Sequence, residues 1–230
     1  MTRRGYPEAR ARSSGWWRSF EVGLSVLGGV IVLPFLAMAF IAVAIEDGRP
    51  ILFRQTRIGR HGKPFEVLKI RSMRVRESGP LITAKGDTRI TIVGRFLRRY
   101  KLDELPQVWN VIRGEMAVVG PRPEVPAYVA LRDPMWRQLL EWRPGLTDLA
   151  TLVYRDEEAE LARASDPERH YREVVSPAKL ALNLDYLKRA TPWVDLELML
   201  LTIRYSLFRK GFDGEKIRRK FLPGIEASRR

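Results

Sequence analysis

With 230 residues, enough for one large domain or one domain with appendages, the chain sets 41 lysines and arginines against 27 acidic residues, a formal net charge of +14. The lack of cysteine excludes disulfides and thiolate sites, and two histidines, His61 and His170, leave almost no material for a His-based zinc site or a Ser-His-Asp triad. Such a charge calls for an anionic partner: nucleic acid, an anionic lipid surface or a phosphorylated substrate.

Residues 1–15 are polar and Arg-rich and read as disordered. Trp16, Trp17 and Phe20 follow as an interfacial belt. From Val22 to Ile45 no residue is charged, and Glu21 and Glu46 bracket the segment. It is long enough to span a bilayer and lacks the polar stripe of a soluble core helix. No small-residue cleavage site of a signal peptide follows it. Arg3, Arg4, Arg10, Arg12 and Arg18 precede it, and Arg49, Arg54, Arg57 and Arg60 follow. Basic flanks belong on the cytoplasmic side, so both ends are expected there. A helix broken at Pro34 and returning to its own side meets that demand, whereas a straight span does not.

Ile51 to Met73 alternates around Gly59 and Gly62-Lys63-Pro64 and reads as a β-hairpin. Gly59-Arg60-His61-Gly62-Lys63 lacks Walker spacing and a following helix, so it is turn chemistry. After a loop at 77–88, Ile92, Val93, Phe96, Leu97 and Tyr100 recur at helical spacing with Arg95, Arg98 and Arg99 between them. This predicts a basic amphipathic helix for the headgroup layer.

Asp103 and Glu104 open the next helical pattern. Pro106 is tolerated in its first turn, Val108, Trp109 and Ile112 supply an apolar stripe, and Gly114 is the stop. A carboxylate at a helix N-terminus is favoured as the anion. That serves an N-cap, and equally a nucleophile that must be ionised at neutral pH. The same helix end would welcome a phosphate, and Gly120-Pro121-Arg122-Pro123 follows as a rigid turn carrying a guanidinium.

Val125 to Trp142 reads as a helical stretch, with Pro134 starting its second half, and Arg155 to Arg163 as a charged structural helix. Leu180, Leu184 and Leu187 mark a late helix ending near Pro192. Leu196, Met199, Leu200, Ile203 and Leu207 mark another, which is core or a membrane-surface anchor. Residues 209–230 are basic and Gly-punctuated and read as a mobile tail.

The run from Lys101 to Pro123 resembles the signature of the bacterial sugar transferases, the monotopic phosphoglycosyl transferases that put the first sugar phosphate onto a polyprenol phosphate. Other elements match in order. Phe53-Arg54-Gln55-Thr56-Arg57-Ile58-Gly59 is similar to a family strand and turn, and Lys69-Ile70-Arg71-Ser72-Met73 to its Lys-x-Arg-Ser/Thr-Met element. Arg143-Pro144-Gly145-Leu146-Thr147 resembles Arg-Pro-Gly-Ile-Thr, and Asn183-Leu184-Asp185-Tyr186-Leu187 resembles Leu-Asp-x-Tyr-Tyr. Together they cover residues 16 to 208.

The resemblance implies an α/β fold, α-rich with a small β-hairpin element, an N-terminal re-entrant membrane helix broken at Pro34, and membrane-surface amphipathic helices. It divides the chain into a disordered basic start at 1–15, a helix-break-helix at 16–47, a cytoplasmic-face catalytic domain at 48–208 and a tail at 209–230. The implied reaction moves a sugar 1-phosphate from a UDP-sugar to polyprenol (undecaprenyl) phosphate, releases UMP and passes through a phosphosugar ester on Asp103. It is the first membrane step of exopolysaccharide, O-antigen or glycoprotein glycan assembly, on the cytoplasmic face of the bacterial inner membrane. Glu104 is the implied ligand of Mg²⁺, with Mn²⁺ as its substitute. Lys69, Arg71, Arg98, Arg122, Arg143 and Asp185 are the implied contacts to substrate phosphates and nucleotide. A homodimer is left open.

The chain departs from the family after Thr147, where Asp148-Leu149-Ala150-Thr151-Leu152-Val153-Tyr154 replaces a Gly-Trp/Leu start and an Asn-Gly-Arg loop. That puts sugar and nucleotide contacts in doubt and leaves the chemistry intact. Two other classes compete. A non-enzymatic basic adaptor on anionic membranes uses the same charge. A nucleic-acid binder wants aromatics interleaved with basic residues, but here aromatics sit in apolar patterns, so no nucleic acid is expected.

Overall fold

A computed structural model of the chain describes residues 15–74, 82–208 and 211–223. The start of the chain, the front of the 77–88 loop and both ends of the 209–230 tail lie outside the described residues.

Helix α1, Gly15–Asp47, contains Pro34 and is long and apolar enough to cross a membrane. Its helical backbone continues through the proline, so no gap interrupts it where the break is expected. Proline removes one N–H from the ladder, and the remaining bonds carry the helix on. Trp17, Glu21, Ser25, Ala39 and Val43 form its inner, buried row. Twelve large apolar side chains are exposed, from Trp16 and Phe20 through Leu27, Ile31 and Met38 to Ile41 and Ile45. At about 1.5–3 kcal/mol for each fully buried Leu, Ile or Phe, leaving that face uncovered forgoes a large stabilisation, and an apolar patch of this extent marks an interaction surface.

Both ends of α1 are tied to the same domain. Near its start, Arg18 Nη1 donates to the Met116 carbonyl (3.1 Å) and Glu21 accepts from the Val118 N–H (3.1 Å). At its end, Glu46 accepts from the N–H groups of Ile92 (2.6 Å) and Val93 (2.8 Å). The buried Arg71 guanidinium donates to the carbonyls of Asp47 (2.6 Å) and Gly48 (2.8 Å), which a helix C-terminus otherwise leaves unpaired.

The expected hairpin is present: β1, Leu52–Ile58, pairs antiparallel with β2, Pro64–Ile70, with Gln55 opposite Val67 and Phe53 opposite Lys69. His61 (φ 61°) and Gly62 (φ 73°) reverse the chain between the strands, as the Gly-Lys-Pro punctuation suggests. Helix α2, Ile92–Arg99, starts at Thr91, whose hydroxyl accepts from the Gly94 N–H (2.9 Å), a cap that contributes about 1 kcal/mol. Leu97 and Ile70 pack beneath Ala39 and Val43 of α1, while Ile92 and Phe96 stay exposed.

A single turn of 3₁₀ helix, Leu102–Glu104, precedes α3, Gln107–Ile112. The one helix expected from Asp103 is thus two pieces, because Pro106 starts α3 afresh and cannot donate backward. Sequence periodicity missed a parallel pair of three-residue strands, β3 (Ala117–Val119) and β4 (Gly145–Thr147). A Cβ on Gly145 would lie 2.1 Å from the Gly120 nitrogen, so this crossing requires glycine.

The helix expected over 125–142 is replaced by a 3₁₀ turn, Pro126–Tyr128, and a short α4, Pro134–Leu139. Each proline begins its own turn, and Asp133 caps the second through the Met135 N–H (2.6 Å). Helices α5 (Leu149–Val153), α6 (Glu157–Leu161), α7 (Pro167–His170), α8 (Ser176–Arg189) and α9 (Pro192–Leu207) follow. The charged stretch at 155–163 holds α6.

In α9, Leu198, Met199 and Tyr205 are buried in the main core, while Leu200, Ile203 and Leu207 are exposed. One face of this helix is therefore core, and the other is an exposed apolar strip. Within the region read as a tail, α10 (Gly214–Phe221) starts at the Asp213 cap and packs Ile217 and Phe221 into the same core as Tyr186. The i, i+4 spacing of those two residues in a mostly charged stretch explains why composition alone hid the helix.

Candidate active site

Asp103 and Glu104 sit on the 3₁₀ turn between α2 and α3, and both are buried. Lys101, at φ 59°, turns the chain sharply before them, a left-handed conformation that costs an L-residue about 1–2 kcal/mol. Two scaffolds bring cations to the turn. Strand β2 alternates, so Lys69 lies on the same side as the buried Val67, facing α3, and its Nζ reaches Glu104 Oε1 at 3.3 Å. The Gly120–Pro123 turn leaves β3, and its Arg122 grips Glu104 with both arms, Nη1 to Oε2 at 3.0 Å and Nη2 to Oε1.

The two carboxylates are therefore unlike. Burial raises Glu104's proton affinity, but Arg122, Lys69 and Lys101 outweigh that and hold it well below the ordinary glutamate range. Asp103 is pushed up, by burial first and by the Glu104 charge second. Among the described residues its buried acceptor Oδ1 has no hydrogen-bond partner, and neither has the buried donor Nε2 of Gln107, four residues on. Burial also lowers Lys69 to about 8, against the pull of Glu104.

Other predicted residues divide. Arg98 lies close enough for its charge to favour the Asp103 anion, while its Nη2 pairs with Glu158. Arg99 instead lies over the Tyr100 ring at 5.7 Å. Three of the predicted contacts are not brought to the dyad. Arg71 is spent on the end of α1, and Asp185 pairs with Lys188 (2.7 Å) on α8. Arg143 lines a separate cleft between α1 and β3.

Sequence reasoning missed the residues that aim Arg122. Asp148, fully buried, accepts from the Arg122 N–H (2.9 Å), the Thr151 N–H (2.6 Å) and Asn183 Nδ2 (2.7 Å). Arg57 donates to the Pro123 carbonyl (3.1 Å) and pairs with Glu124 (3.6 Å). A signal existed for Asp148, an acidic residue opening a helix after Pro-Gly-Leu-Thr. Arg57 lies in the Phe53–Gly59 element, but nothing local points to its partner 66 residues away.

Among the described residues no three His, Asp or Glu side chains gather as a metal cage. The dyad fits a hard divalent ion of another kind, one that takes one or two carboxylates and completes its shell from a phosphate substrate. The orphaned Asp103 oxygen and the carboxylate capacity Glu104 keeps beyond Arg122 are the donors available.

The family model described as bacterial sugar transferase matches residues 13–209. A UDP-glucose:undecaprenyl-phosphate glucose-1-phosphate transferase of Caulobacter vibrioides is 39% identical over 194 residues, 81% of this chain and 67% of that protein. The Escherichia coli protein of the same name is 34% identical over 196 residues, 81% of this chain and 39% of its own length. A UDP-N-acetylgalactosamine-undecaprenyl-phosphate N-acetylgalactosaminephosphotransferase of Aeromonas hydrophila is 31% identical over 196 residues, 80% and 43%. The chain thus spans less than half the length of two of these relatives.

Proposed function

The chain belongs to the bacterial sugar transferase family, and we propose that it moves a sugar 1-phosphate from a UDP-sugar to a polyprenol phosphate such as undecaprenyl phosphate, releasing UMP. The observation that carries this reading is the division of labour in the dyad. Glu104 is locked to cations, while Asp103 keeps a buried, unpartnered oxygen beside them.

A carboxylate that is buried and keeps one oxygen unbonded is more basic than an ordinary aspartate and, once ionised, more nucleophilic. Asp103 attacks the phosphorus that bears the sugar. A P–O bond forms to the carboxylate, the bond from that phosphorus to the bridging oxygen breaks, and its electron pair leaves with UMP. An oxygen of polyprenol phosphate then attacks the same phosphorus, the acyl-phosphate P–O bond breaks, and the carboxylate returns. Arg122 and Lys69 stand where phosphoryl charge develops. Glu104 orients both and would hold Mg²⁺, or Mn²⁺ in its place, against the substrate diphosphate. Bound there, the ion neutralises phosphoryl oxygens.

The membrane topology belongs to the same proposal. α1 enters the cytoplasmic leaflet, bends at Pro34 and returns, so the protein is monotopic on the cytoplasmic face of the inner membrane. Support comes from Arg18 and Glu46, near opposite ends of α1 and bonded to one domain, which cannot lie on both sides of a bilayer. Exposed Ile92 and Phe96 on α2 and Trp109 on α3 continue the apolar face into the headgroup layer. UMP release by the full chain, screened across UDP-sugars with polyprenol phosphate present, tests the reading. Release from none of them would refute it.

A further inference from the structure

A second site stands apart from the dyad. Between the inner face of the first turns of α1 and the end of β3 lies a cleft of about 250 Å³. Trp17 and Glu21 wall it from α1, Arg60 from the turn between β1 and β2, and Arg143 from the segment before β4. Asp103, Glu104 and Arg122 are not among its lining residues.

Its charges do not balance. Glu21 is committed to the Val118 N–H (3.1 Å) and to Arg18 (3.6 Å). Arg60 gives its Nε to the Glu141 carbonyl (3.0 Å). The half-buried Arg143 makes no hydrogen bond or ion pair with any described residue, so its guanidinium is held by no protein partner among them. Burial and the neighbouring Arg143 charge both disfavour the Arg60 cation, so the two arginines repel without an anion between them. A half-buried guanidinium facing a second one is a site for a bidentate, tetrahedral anion.

The wall says where the anion comes from. The helical turns that give Trp17 and Glu21 to the cleft also carry Trp16 and Phe20, both exposed, whose rings pack on Trp17 at 5.5 and 5.2 Å. These begin the long apolar face of α1. The aromatic wall that Trp17 shares with Trp16 and Phe20 offers an apolar path for an ester chain carried on a phosphate in the cleft, and Trp at such a boundary belongs to the membrane interface. We propose that Arg143 and Arg60 bind a phosphate group carried on a membrane lipid.

The test is binding by native mass spectrometry of the full chain, delipidated in uncharged detergent, with no UDP-sugar present. Undecaprenyl phosphate, phosphatidylglycerol, undecaprenol and inorganic phosphate are offered in turn. Wild type should retain a phosphate lipid, and Arg143→Gln should retain about tenfold less or worse, the loss expected for a charge-assisted bidentate contact. Arg143→Lys, which keeps the charge, should recover part of it, and Arg132→Gln, an exposed arginine outside the cleft, should match wild type. Preference for undecaprenyl phosphate names the acceptor as the source, and equal or greater retention of phosphatidylglycerol names bulk phospholipid. Retention of undecaprenol equal to that of its phosphate, binding of inorganic phosphate but no lipid, or an unchanged Arg143→Gln would each overturn the proposal. Asp103→Asn should still retain the lipid, so this result and the transfer reading fail independently.

Discussion

Arg122 and Glu104 form a fork-to-fork pair in a buried setting, with Nη1 to Oε2 at 3.0 Å and the second arm closed on Oε1. Because Pro121 and Pro123 flank Arg122 and Asp148 holds its N–H, the guanidinium cannot follow a substitution at Glu104 freely. Arg122→Lys keeps the charge but loses the second arm. Turnover should fall about 10²–10³-fold, the scale of removing one oriented donor from a charge-stabilising site. An activity within twofold of wild type would remove Arg122 from that role.

The pH profile follows from Lys69 and Asp103. Burial brings Lys69 down to about 8, so its ammonium is present below that pH and lost above it. Asp103 is raised, so its anion is lost sooner than usual as pH falls. A plot of kcat/KM against pH should be bell-shaped, with its alkaline limb near 8. Lys69→Arg should abolish that limb while leaving the acid limb in place. A limb unmoved by the substitution assigns it to another group.

Metal dependence follows from an anionic dyad facing two phosphates. Excess chelator should abolish turnover, with restoration by Mg²⁺ or Mn²⁺. Glu104→Gln should raise the Mg²⁺ concentration needed for half-maximal rate. Full activity in chelator would take the ion out of the reaction.

Topology is tested by cysteines placed at Arg12 and Arg60 in intact cells, the chain having none of its own. Both should be labelled only after the inner membrane is opened. Labelling of Arg12→Cys from the periplasmic side would show that α1 crosses. Pro34→Leu should shift part of the population toward that crossing form.

How far the sequence carries can be judged residue by residue. The hairpin and α2 were legible because Gly62-Lys63-Pro64 and the Ile92–Tyr100 spacing are local signals. The dyad was legible as chemistry, two carboxylates beside a proline-framed arginine. Their division was not, since it depends on Lys69 and Arg122 arriving from β2 and from the turn after β3. Three-residue strands such as β3 and β4 are too short for periodicity to register. The stretch from Val125 to Trp142 has helical composition, yet Pro126 and Pro134 each reset the backbone. Arg71 matched a family motif, and only the structure shows its guanidinium closing the end of α1.

The central claim is that Asp103 carries the phosphosugar. Enzyme incubated with UDP-sugar alone should release UMP in a burst of about one equivalent per site and hold the phosphosugar until polyprenol phosphate is added. Mass spectrometry of the quenched protein should place that adduct on the peptide containing Asp103. Asp103→Asn should show neither burst nor adduct. An adduct on another residue, or a burst that survives Asp103→Asn, would contradict the account.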